Sequence, residues 1–175
     1  MDRTDILPGA LVARIDAITK EACPKAVFEY DENSMLNIKA DKVTRQKTCV
    51  FMEEITTSQI VVPRGSFPTR VTPISVYFLR FEPYGNTAYE GDTSRGQTAS
   101  GKKIIARQAI RDGIEAEVVL PTIAAIKREF GKYVRNINFN LRYPATRFDA
   151  NEVGIVLEIS ITQNVCLDDW KPLQR

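Results

Sequence analysis

A chain of 175 residues with 43% hydrophobic content is long enough to build one domain around a real core. Its 24 basic and 22 acidic side chains leave a net charge of +2 with no basic run, which argues against a dedicated nucleic-acid binder. Histidine is absent, so the commonest general base near neutral pH and the commonest ligand of zinc, copper and non-haem iron are both missing.

In chain order, Ala10 to Ala22 places Leu11, Ile15 and Ile18 at helical spacing with Val12 at the border, and Pro24 closes this amphipathic helix. Ala26 to Tyr30 and Met35 to Lys39 flank the turn-forming Asp31-Glu32-Asn33-Ser34 and predict a hairpin. Cys49 to Thr56 reads as a strand with Cys49, Phe51 and Ile55 on one face and Val50 and Met52 on the other, both partly covered. Glu53 and Glu54 then point to opposite faces and cannot act together. Val61 to Thr72, with Pro63, Gly65 and Pro68, predicts loop, and Ile74 to Phe81 a strand apolar on both faces. Glu82 to Gly101 follows, a polar stretch of about twenty residues, far longer than an ordinary connection.

Lys103 to Leu120 carries the longest helical pattern, with Ile110, Ile114 and Leu120 on one arc and Gln108, Arg111, Asp112 and Glu115 opposite. Ala106, Ala109, Gly113 and Ala116 recur at spacings of three and four, a small-residue seam that predicts close packing. Pro121 predicts a kink or restart before Ile123, Ile126 and Phe130, and Gly131 ends the segment. Ile137, Phe139, Leu141 and Tyr143 alternate with Asn136, Asn138, Asn140 and Arg142, a strand with one core face and one wet face. Val153 to Thr162 predicts its partner strand, and the tail 166–175 carries Trp170, the only tryptophan. The expected architecture is a single α+β domain over 1–175, mainly antiparallel sheet packed against one long helix and a short N-terminal helix.

Three widely spaced cysteines, Cys23, Cys49 and Cys166, indicate neither a disulfide framework nor a zinc knuckle and favour a reducing compartment. No window approaches the ~20 apolar residues of a membrane span, so a soluble protein is expected. Gly96 to Lys103 nearly matches a phosphate loop, but Lys103 occupies the position of the magnesium-binding hydroxyl. Roughly fourteen residues also separate Gly96 from the preceding strand, where that mechanism needs an immediate join. Asp149 and Glu152 suggest a paired-carboxylate site less strongly than a turn entering the last strand. The row Asn136, Asn138, Asn140 and Arg142 offers a polar face without interleaved aromatics, which favours an ordinary solvated face over a small-ligand site. The expected sets of catalytic, cofactor-binding and metal-binding residues are therefore empty.

The order of elements, with the strand Thr48-Cys49-Val50-Phe51-Met52-Glu53-Glu54-Ile55, the long helix and the final strand pair, resembles the tail-terminator and neck proteins of tailed bacteriophages. Cys49 to Ile55, Ala109 to Pro121 and Arg147-Phe148-Asp149-Ala150-Asn151-Glu152-Val153 also look like stretches of prophage proteins encoded near tail genes. The resemblance implies a non-enzymatic virion subunit forming a homo-oligomeric ring, usually a hexamer, at the head-proximal end of the tail. Its implied partners are copies of itself, the tail tube and head-tail connector proteins, with no cofactor, no membrane and no specific nucleic acid, and assembly would take place in the host bacterial cytoplasm. Interface contacts are expected at the exposed loop, turn and tail positions Tyr89, Arg95, Lys102, Arg147, Asp149 and Trp170. Two other readings stand beside it: a nucleotide- or phosphate-binding enzyme built on Gly96 to Lys103, and a binding module for a small polar ligand on the Asn136 to Arg142 face.

Overall fold

A computed structural model describes residues 7–24, 27–30, 48–65, 67–81, 99–132, 134–144 and 152–165; for 27–30, 81, 99–106 and 152 it describes the backbone alone. In chain order the elements are α1 (Pro8–Ala22), β1 (Val27–Tyr30), β2 (Cys49–Met52), β3 (Gln59–Val61) and β4 (Thr69–Phe81). They are followed by α2 (Ala99–Ile114), a π-helical turn (Glu115–Val119), α3 (Leu120–Phe130), β5 (Asn136–Arg142) and β6 (Glu152–Asn164). The strands form one six-stranded sheet in the order β1-β2-β4-β6-β5, with β3 also pairing with β4. Every pairing is antiparallel except β1 with β2. The expected α+β architecture is therefore present.

Period-two alternation in the strands divides the core. Val50 and Met52 of β2, Ile74, Val76 and Phe78 of β4, and Ile155, Leu157, Ile159 and Ile161 of β6 all join one buried cluster with the helices. Ile137, Phe139 and Leu141 of β5 pack against its margin. From α1 come Leu11, Ile15 and Ile18, and from the long helical run Ile114, Val118, Val119, Ile126 and Phe130. Each such fully buried side chain contributes about 1.5–3 kcal/mol of transfer free energy. On the opposite face, Cys49, Phe51 and Leu79 form a second small cluster with Tyr77 beside it. Ile55 lies against the helix-side cluster, not with Cys49 and Phe51, because β2 ends at Met52 and the alternation ends with it.

Strand β4 is thirteen residues long and begins at Thr69, where the sequence predicts loop. Its whole length pairs with β6, from Thr69↔Asn164 to Phe81↔Glu152, so the ladder extends the strand back to Thr69 and past Pro73, against the loop expected from Pro63, Gly65 and Pro68. Pro73 fits because of its position. The Glu53 N–H donates to the Ser75 carbonyl at 3.1 Å, so odd-numbered residues here turn their backbone groups toward β2 and β3. Residue 73 falls between the β3 pairing at 69–71 and the β2 pairing at 76–79, where no described strand needs its missing donor. β1 pairs in parallel with β2, Val27↔Cys49 to Tyr30↔Met52, while the turn and second strand of the hairpin expected at 26–39 lie outside the described residues.

The long helix begins at Ala99, four residues before the expected start at Lys103, and continues helically through Pro121. The accommodation is the π turn, in which the Leu120 N–H donates to the Glu115 carbonyl. Proline lacks an N–H, and its ring would crowd the carbonyl four residues back, that of Glu117. The Cys23 thiol at the end of α1 sits over these carbonyls, with Sγ 3.5 Å from the Val118 oxygen and 3.9 Å from that of Glu117.

The wider turn also changes helical phase. Val119 lies about 140° around an ideal α-helix from Ile114. An i→i+5 turn brings residues five apart nearly into line. Val119 is accordingly 0% exposed, whereas Leu120, expected on the core arc, is 49% exposed. The small-residue seam is not a packing face either, since Ala109 and Ala116 face solvent. At Gly113 the close neighbour is a side chain: a Cβ there would stand 3.3 Å from Arg80 Nη1.

Candidate interaction surfaces

Residues 59–67 form the most apolar exposed region described. Ile60 is 45% exposed, Val61 40%, Val62 64% and Phe67 78%. They are presented by β3 and the turn that returns to β4, where Gly65 takes φ 72°, a conformation suited to glycine. Pro63 and Pro68 flank that turn and limit its freedom. Arg64 is exposed among these apolar side chains, and no acidic residue occurs anywhere from Ile55 to Phe81. Four large apolar side chains exposed within one short segment are the kind of feature that marks an interaction site.

The sheet face away from the helices is polar toward β5. Asn140 Nδ2 and Arg142 Nη1 each donate to Glu158 at 2.8 Å, and these two bonds hold the Glu158 carboxyl below its usual range. Tyr77 donates its hydroxyl to Glu53 at 2.6 Å; burial first, then that bond, pushes the phenol well above its ordinary value. On the side of Glu158 away from Tyr77 lies a groove of about 350 Å³ over Pro73, Ser75 and Ser160, walled by Asn138, Asn140 and Glu158. Sequence periodicity gave the asparagine row but not Tyr77, which reaches the same face only through cross-strand register, as both Tyr77 and Arg142 lie opposite Val156.

A third exposed region surrounds the π turn. Tyr143 is 42% exposed and donates its hydroxyl to Glu115 Oε2 at 2.7 Å; this bond, then slight burial and the charges of Glu115 and Asp112, raise its pKa. Arg111 donates to the Pro144 carbonyl, next to Tyr143. On the other flank, Arg80 Nη2 donates to Glu117 at 2.7 Å and to Thr48 Oγ1 at 2.8 Å, tying β4 to the turn.

Of the positions expected from sequence, Tyr89, Arg95, Arg147, Asp149 and Trp170 lie outside the described residues. Lys102 is in the first turns of α2, with its backbone alone described. The long polar loop expected at 82–101 is described only from Ala99, where it is already helix. β4, the last described strand before α2, runs antiparallel to β2, β3 and β6. Among the described residues no three of His, Cys, Asp or Glu gather as a metal site, and no helix is long and apolar enough to cross a membrane. Sequence pattern does not predict the exposed hairpin, because Pro63, Gly65 and Pro68 read as loop over Val61 to Thr72; its signal is the run Ile60-Val61-Val62 followed by Phe67. No family model matches the chain, and no curated protein matches it in sequence.

Proposed function

We propose that this chain is a non-enzymatic assembly subunit that associates with copies of itself into a ring, and that the ring caps or joins the head-proximal end of a phage tail or neck. The observation that carries self-association is the hairpin, with Phe67 78% and Val62 64% exposed. A monomer keeps such side chains in water at a cost that an interface removes. The phage setting rests on the resemblance of element order and of the segments named above. Native mass spectrometry and light scattering test the association: wild type is expected to form a closed oligomer, and Phe67→Ser to shift it toward monomer without loss of folding. A wild-type chain that remains monomeric at every accessible concentration, and does not decorate tail tubes in electron micrographs, overturns the proposal.

The groove over Pro73, Ser75 and Ser160 favours a second reading, a site for a small polar ligand. A bound small molecule in the native mass spectrum of the purified protein, lost on Asn138→Ala, is its expected signature.

A further inference from the structure

Resting on the proposed self-association, we infer that the hairpin of one copy docks on the acidic, apolar surface around the π turn of the next. The donor is basic and apolar: Arg64 stands exposed among Ile60, Val62 and Phe67, in a stretch free of acidic residues. The acceptor has the complementary character. Tyr143 and Leu120 are 42% and 49% exposed, Glu115 accepts the Tyr143 hydroxyl at 2.7 Å, and Asp112 is exposed one helical turn before Glu115. Tyrosine in such a setting is a common energetic centre of an interface, while opposite charges at the rim fix orientation.

Sheet register places the two surfaces apart. Gln59 pairs with Val71, Val71 with Thr162 and Thr162 with Asn136, so the hairpin tip extends beyond the Asn136 end of β5. Tyr143 follows Arg142 at the other end, six residues and roughly 20 Å along the strand. The hairpin therefore cannot fold onto this surface in its own subunit. Two different patches at opposite ends of one subunit make a head-to-tail contact, which repeats from copy to copy and closes into a ring when the rotation permits.

Charge reversal with sedimentation analysis tests the pairing. Arg64→Glu and Asp112→Arg, each at an exposed position, are expected to weaken association ~10-fold or more, and the double variant to recover most of the loss. Tyr143→Ser is expected to weaken it also, and circular dichroism confirms that each variant is folded. If Phe67→Ser dissociates the oligomer while Asp112→Arg and Tyr143→Ser leave it intact, the acceptor assignment is overturned and self-association through the hairpin stands. If wild type shows no oligomer, both fall together. Failure of the double variant to recover, with both single variants folded and weakened, overturns the direct pairing of Arg64 with Asp112.

Discussion

Val119 and Leu120 are adjacent, similar in hydrophobicity and opposite in environment, which makes the π turn testable by stability alone. Val119→Ala removes two carbons from a side chain that is 0% exposed. At ~0.8 kcal/mol per carbon the transfer loss is about 1.6 kcal/mol, and the cavity raises the total to about 2–3 kcal/mol. Leu120→Ala removes three carbons from a side chain 49% exposed, and its cost should stay near ~0.5 kcal/mol. Both are measured by urea unfolding in a Phe67→Ser background, so that association does not add to apparent stability. The expected result is a lower midpoint for Val119→Ala at unchanged slope, with Leu120→Ala close to its parent. If Leu120→Ala proves the costlier substitution, the helix follows a different phase and the argument from the π turn fails. In the wild-type background, Leu120→Ala should instead weaken association, since the turn that buries Val119 also exposes Leu120.

Tyr77 predicts alkaline sensitivity. Because its folded-state pKa is raised, the unfolded chain ionises first as pH climbs above the ordinary tyrosine value near 10, so stability is full below that pH and declines above it. Tyr77→Phe should remove part of this slope in unfolding measured between about pH 9 and 11; an unchanged slope would refute it. Cys23 is 6% exposed and burial raises its thiol pKa, so a thiol reagent should modify it only after unfolding, as peptide mapping would reveal. Rapid native labelling of Cys23 would contradict its place over the Val118 carbonyl. Gln163 is 2% exposed, and neither its amide nitrogen nor its oxygen has a hydrogen-bond partner among the described residues. Gln163→Leu should therefore stabilise by about 1–2 kcal/mol in thermal unfolding, and destabilisation would show that the amide is needed.

Elements whose burial follows a single period were legible from sequence. Leu11, Ile15 and Ile18 gave α1, and the alternations through Ile137 to Leu141 and Val153 to Ile161 gave β5, β6 and the wet face between them. Elements fixed by distant pairing were not. The first residues of β4 lie between Pro68 and Pro73 and become strand because β6 pairs with them throughout, while β1 takes β2 as a parallel partner across a separation that local turn chemistry does not encode.

The candidate surfaces divide in the same way. Sequence alone determined the α+β class, the absence of histidine and the run Ile60-Val61-Val62, since composition and short-range periodicity are properties of the chain itself. Tertiary structure decided that this run remains in water, that Tyr77 shares a face with Arg142, and that Leu120 turns outward while Val119 turns in. The physical reason is that exposure depends on which elements meet, and one wide helical turn before Pro121 is enough to change the face that α3 presents.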